Sequence, residues 1–291
     1  MKNIFLFMIS ALIWGSTWLA IKFQLGVVDP LISIFYRFLL AAIILFIYLL
    51  LSKKTLKYSF RQHLLMALQG FLLFGINYWL VYLAEQYLTS GLVAIVFSTI
   101  VFLNIFFGAL FIKSKIQFLV VTGAIIGFIG ISFVFKNEIQ MFNLSSQNSI
   151  ALLIALVGAV SASLGNITSA YNQRKKIPVL QANAFGMLYG SSIMLIFAFL
   201  INKSVTFDPS FPYIFSLLYL SIFGSVIAFT CYLTLLGNIG ADKAGYTTLV
   251  IPVIAIILST IFEDYQWNIF AFLGVLLILF GNILVLKRKR S

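Results

Sequence analysis

Apolar residues fill this chain in runs of about twenty, separated by short clusters of Lys, Asp, Asn, Pro and Ser. A helix needs about 20 apolar residues to cross the hydrocarbon of a bilayer. Ten such runs can be placed, at residues 4–25, 31–51, 64–84, 89–112, 118–136, 149–171, 179–201, 212–236, 244–262 and 268–286. The pattern predicts an all-α polytopic membrane protein with ten transmembrane helices. The third and fourth runs lie so close together that they form a tight hairpin. The first run follows only Met1, Lys2 and Asn3, lacks a small-residue cleavage site and exceeds a signal-peptide core, so it is expected to stay as a helix.

The loops test this count independently. With ten spans, one side collects Lys2, Lys53, Lys54, Lys57, Arg61, Lys113, Lys115, Arg174, Lys175, Lys176, Lys243 and the tail Lys287, Arg288, Lys289 and Arg290, or 15 of the 19 basic residues. Lys22, Lys136 and Lys203 fall opposite, and Arg37 lies inside a span. Acids partition the other way: Asp29, Glu85, Glu138, Asp208, Glu263 and Asp264 face Asp242 alone. Positive charge concentrates on the cytoplasmic side of membrane proteins, so both termini are expected in the cytoplasm.

An internal repeat appears at an offset of about 151 residues. Gly123, Gly130, Val134 and Lys136 of the fifth run fall onto Gly274, Gly281, Val285 and Lys287 of the tenth, while Gly15 matches Gly165 and Tyr82 matches Tyr232 at an offset of 150. Five helices per copy is odd, so the second copy enters the bilayer from the opposite side. The chain therefore divides into five-helix halves at 1–142 and 149–291, related as an inverted repeat with a substrate site between them. The polar stretch from Asn143 to Asn148 is the boundary.

Composition removes several function classes. Of 291 residues 62% are hydrophobic and 9% charged, against about 25% charged in soluble chains, so no separate aqueous domain is expected. A net charge of +12 would suggest nucleic acid in a soluble protein, but here orientation and anionic lipid account for it. No nucleic-acid partner is expected; membrane lipid and a small-molecule substrate are. Cys231 is the single cysteine, so no intrachain disulfide can form. No HExxH, Gly-x-Ser-x-Gly or GxxxxGK[ST] motif occurs, which argues against an enzyme and against ATP as the energy source. No cofactor or metal is implied.

Polar groups inside spans are costly unless they face protein or a wet cavity. Trp14, Thr17 and Trp18 of the first run lie within about a turn of one another beside Gly15 and Ser16, and they suit either a cavity wall or helix packing. The third run carries Gln69, Asn77, Tyr78 and Trp79, and its repeat mate carries Thr230 and Tyr232. Asn77, near mid-span, either bridges helices or contacts substrate. Ser161, Ser163, Asn166 and Thr168 surround Gly165, and Ser98, Thr99, Asn104, Tyr246, Thr247 and Thr248 complete the set. From these the substrate-binding candidates are Trp14, Thr17, Asn77, Tyr78, Asn166, Tyr232 and Thr248. The set is neutral and aromatic, which fits a zwitterionic, aromatic or amphipathic solute better than a bare metal ion. His63 reads as interfacial, and Gly123, Gly127 and Gly130 as a packing face.

Arg37, about 10 Å deep at 1.5 Å per residue, reads with Glu85 as a gating or structural charge, direct substrate contact by Arg37 being the alternative. Its side chain can snorkel outward, with Glu85, Glu263 and Asp264 as candidate counter-charges.

The segments WGSTWLAIK at 14–22, YRFLLAA at 36–42, AEQYLTSGLVAIVFST at 84–99 and YTTLVIPVIAIILSTIFED at 246–264 resemble the EamA family of the drug/metabolite transporter superfamily. The resemblance spans both halves. It implies a ten-helix, two-repeat exporter or exchanger of small metabolites, often amino acids, in the bacterial inner membrane. Pro252 and Glu263 match the family's ninth helix, but Val101 and Ile112 stand at the corresponding positions of the fourth, which is therefore expected to be straighter and less able to hinge. The alternatives are an uptake carrier, a channel or a structural membrane partner.

Overall fold

The structure, a computed structural model, describes residues 1–88, 90–143, 146–262 and 267–286. The side chains of Trp18, Lys22 and Glu138 lie outside that description, as do Glu263, Asp264 and the tail 287–291. All regular structure among the described residues is helical: α1 (Lys2–Lys22), α2 (Pro30–Leu51), α3 (Phe60–Glu85), α4 (Leu92–Ile112), α5 (Phe118–Val134), α6 (Gln147–Arg174), α7 (Val179–Leu200), α8 (Phe211–Ile239), α9 (Thr247–Phe262) and α10 (Ile269–Leu286). Six of these, α2, α3, α4, α6, α7 and α8, are long and apolar enough to cross a membrane, while α1, α5 and α10 contain shorter apolar stretches. The protein is thus a multi-pass membrane protein; length and apolarity give six candidate spans among the described residues, and ten is the reading of the apolar runs in the sequence.

Helix ends follow local chemistry. Asp29 caps α2 by accepting the Leu31 amide at 3.0 Å, with Pro30 in the first turn. Ser59 and Gln62 form a capping box at the start of α3. The chain leaves α2, α4 and α6 through Lys53, Lys113 and Lys176, each in the left-handed region at φ 50°, 53° and 61°. A lysine there closes the helix and sets positive charge against the negative end of its dipole. These three helices run toward one end of the bundle, called here the basic end. α7 runs the other way, leaving through Asn202 at φ 56° beside Lys203, which pairs with Asp29 at 2.9 Å.

The packing of α5 on α10 shows how the halves are related. A Cβ on Gly130 would lie 2.7 Å from the Gly274 carbonyl oxygen, and one on Gly281 would lie 2.7 Å from the Gly123 carbonyl oxygen. Gly274 and Gly281 are the repeat mates of Gly123 and Gly130, so each contact maps onto the other when the halves are exchanged. The two helices cross antiparallel, and such a self-matching contact requires a two-fold axis perpendicular to them. In a membrane that axis lies in the bilayer plane, which is the inverted-repeat relation.

A second pair of mates was not anticipated. α3 is π-helical over Gly70–Ile76 and α8 over Leu220–Ile227, at the repeat offset. Extra residues of this kind loosen the regular ladder and free carbonyls for outside donors. Ser161 of α6 donates to the Leu72 carbonyl at 2.7 Å, and Trp14 of α1 donates from its indole to the Gly224 carbonyl at 3.1 Å. In each half, therefore, the first helix of the other half bonds to the π segment.

The fourth helix differs from expectation. Although it lacks the proline, its α-helical pattern is interrupted at Thr99, whose hydroxyl bonds back to the Val96 carbonyl. Ser and Thr side chains that compete for backbone carbonyls in this way bend helices, so a hydroxyl replaces a ring as the source of the break.

Candidate functional site

Trp14, Thr17, Asn77, Tyr78, Asn166, Tyr232 and Thr248 all line one cavity of about 120 Å³. They arrive from five helices, α1, α3, α6, α8 and α9, and Phe97 and Ile100 of α4 close the ring. Both halves contribute. The cavity sits where the two π segments pass, because Leu73 lies on its wall and Gly224 is held by Trp14.

Aromatic rings form much of the wall. Trp14 meets Phe229 edge-on with centroids 4.9 Å apart and Tyr232 at 5.0 Å. Tyr78 reaches Phe229 at 6.1 Å, and Phe74 stands behind Phe229 at 4.9 Å. Edge-to-face contacts of this sort hold rings in fixed positions, leaving their faces for a solute.

Polar groups punctuate this wall. Asn166 donates through Nδ2 to the Tyr232 hydroxyl at 3.1 Å and to Asn104 Oδ1 at 3.4 Å, and Ser163 donates to that same Oδ1 at 2.7 Å. Asn104 in turn donates to the Ala241 carbonyl at 3.1 Å. This layer ties α4, α6 and α8 together beneath the cavity, toward the basic end. Asn77 donates to Leu73 at 3.4 Å. The amide oxygens of Asn77 and Asn166 are buried and accept no hydrogen bond from the described residues, so two acceptors on cavity-lining residues could meet a donor group such as an ammonium or hydroxyl.

Arg37 lies directly behind the wall and is only 1% exposed. It does not snorkel outward. Its Nε donates to Ser225 at 3.0 Å, and its guanidinium lies over the rings of Tyr78, at 4.6 Å, and Phe38, at 5.2 Å. A Cβ on Gly224 would touch both Arg37 Nη2 and Thr17, each at 3.1 Å, so the charge and the cavity wall are separated by one layer of atoms. These contacts are with neutral groups. The expected partner Glu85 is not among them, and Glu263 and Asp264 lie outside the described residues. Among the described residues, Arg37 Nη1 has no hydrogen-bond partner.

The remaining sequence candidates divide. Gln69 donates to Asn183 and accepts from Asn172, so it joins α3, α6 and α7 away from the cavity. A matching polar joint holds α1, α2 and α8, where Gln24 donates to Ser216 at 2.6 Å and Ser33 meets the Tyr213 hydroxyl at 3.0 Å. Tyr246 bonds to the Val120 carbonyl, and His63 to Tyr189 at 2.8 Å near one helix end. Sequence reasoning missed Phe97, Phe229 and Ser225. In a chain with 31 Phe, no ring or small hydroxyl of this kind carries a signal of its own.

Known proteins place this geometry in a family. The model of the EamA-like transporter family matches residues 1–136 and 149–287. The chain is 32% identical over 280 residues to the uncharacterized inner membrane transporter YedA of Escherichia coli strain K12, covering 96% of this chain and 88% of that one. It is 26% identical over 283 residues to the uncharacterized transporter YoaV of Bacillus subtilis, with 96% of each covered. Protein PagO of Salmonella typhimurium is 27% identical, with 98% of this chain and 92% of that one covered. A solved crystal structure shares the fold at a TM-score of 0.80 and 16% identity, covering 97% of this chain and 95% of that one. The chain belongs to the EamA-like transporter family of small-molecule membrane transporters.

Proposed function

We propose that this protein is a gradient-driven carrier that moves a small zwitterionic or amphipathic metabolite, such as an amino acid, outward across a bacterial inner membrane by alternating access. The observation that carries the reading is the cavity between inverted halves. It combines fixed aromatic faces (Trp14, Tyr78, Phe229) with two unfilled amide acceptors (Asn77, Asn166) and a buried guanidinium one layer behind. Ring faces and amide oxygens suit an ammonium and its apolar neighbours, while the Arg37 charge favours a carboxylate at the other end of the same solute.

The test is counterflow in proteoliposomes loaded with a panel of unlabelled amino acids and related metabolites. A carrier accumulates external labelled solute in exchange for the internal one, and the uptake saturates. Trp14→Ala, Asn77→Ala and Asn166→Ala should each raise the half-saturation concentration while leaving the protein inserted. Unsaturable flux without exchange would favour a channel, and unchanged kinetics in all three variants would remove the site assignment.

A further inference from the structure

At the basic end, between the ends of α4, α6 and α8, lies a second and larger cavity of about 450 Å³. Its walls carry Lys115, Arg174 and Lys243 against one acid, Asp242, with Ser114 and Gln117 beside them. Lys115 and Arg174 are exposed, and membrane proteins gather such residues on one face for orientation alone. Lys243 does not fit that explanation. It sits in the helical turn Ala241–Ala244 and is only 7% exposed, yet its ammonium makes no hydrogen bond or ion pair among the described residues. Its stem is packed away while its ammonium is not sealed from solvent, so the charged end opens on the cavity wall. The Asp242 carboxylate turns toward Gly240, where a Cβ would come within 2.5 Å of Oδ1. Arg174 commits one N–H to the Ile112 carbonyl at 2.6 Å and keeps other donors of its guanidinium fork.

We propose that this cavity binds a phosphate-bearing anion, with Lys243, whose stem is packed into the wall, as its anchor and Arg174 and Lys115 at its rim. Three cations around one carboxylate favour a dianion with several oxygens over a single carboxylate, and Lys and Arg are the usual donors to phosphate. The volume leaves room for the organic part of a phosphate ester. The site is separate from the central cavity, because the Asn104 layer that bonds to Ala241, on this cavity's wall, lies between them. The proposal therefore does not depend on what the central cavity carries. Basic pockets between helices also hold lipid headgroups, so the phosphate could arrive free in solution or on an anionic lipid.

The experiment uses the full chain in detergent and reads the rate at which an amine-reactive reagent modifies each lysine, by mass spectrometry. Inorganic phosphate should slow modification of Lys243 severalfold relative to chloride at equal ionic strength, while Lys203, ion-paired with Asp29 at the opposite end, keeps its rate. A second arm repeats the reading in nanodiscs of phosphatidylcholine with and without phosphatidylglycerol. Protection by inorganic phosphate assigns a soluble ligand; protection only by phosphatidylglycerol assigns a headgroup. In thermal unfolding, phosphate should raise the midpoint of the wild type and of Lys243→Arg but not of Lys243→Gln. The wild-type footprint stands even if Lys243→Gln fails to fold. Equal protection by chloride, or none in either arm, overturns the proposal.

Discussion

Seven residues into α2 stands Arg37; seven residues into α7, its repeat mate, stands Gly186. The two halves use this position in opposite ways. Gly186 lets α7 press on the π segment of α3, where a Cβ on Gly70 would fall 2.1 Å from the Gly186 carbonyl oxygen. Arg37 instead holds α2 to the π segment of α8 by hydrogen bonds, since its side chain donates to Ser225 and its carbonyl accepts from Ser221 at 3.0 Å. Ser225→Ala should therefore orphan a buried charged donor and cost about 1–3 kcal/mol, read as a lowered unfolding midpoint in detergent. Gly70→Ala should cost a similar 1–3 kcal/mol by overpacking. A wild-type midpoint in either variant contradicts the corresponding contact. The charge at Arg37 and the amides Asn77 and Asn166 stood out in the sequence because such groups are expensive inside a span. Their partners did not, because Ser225 and Phe229 are ordinary residues in so apolar a chain and only the fold brings them to the site.

At the scale of whole helices, the π segments set which side chains reach the cavity. In α3, Gly70 must face α7 while Asn77 and Tyr78 face the centre, and the widened turns between them fix that relation. Each residue of an α-helix advances about 100° around the axis at 3.6 residues per turn. Deleting Phe71 should tighten the segment and swing Asn77 and Tyr78 about 100° off the cavity. We expect transport to be lost while helix content by circular dichroism stays near wild type. Wild-type transport in the deletion would show that the π segment does not set the register. Nothing in the sequence announced these segments. Pro252 in α9 was legible as a helix-breaking residue on the cavity wall, whereas the break at Thr99 depends on a hydroxyl finding a carbonyl, a contact that hydropathy patterning does not encode. Helix positions and the glycine mates of α5 and α10 were legible, because apolar run length and repeated small residues are properties of the chain itself.

For the molecule as a whole, the proposed cycle has two inverted halves exchanging conformations about a cavity they share. The glycine contacts between α5 and α10 are self-matching, and each first helix bonds to the other half's π segment, contacts that would couple the halves in the proposed alternating access. In the present state the Asn104 layer lies between the central cavity and the basic end. In the proposed cycle, opening toward that end would break this layer and, by the two-fold relation, narrow the opposite end. Pairs of spin labels can read both ends: Lys113 with Asn238 at the basic end, and Tyr87 with Phe211 at the other, introduced as cysteines in a Cys231→Ser background. Two distance populations are expected at each end in reconstituted protein, the longer at one accompanying the shorter at the other, with transported solute shifting both in opposite directions. A single, solute-independent distance at both ends would contradict the proposed cycle.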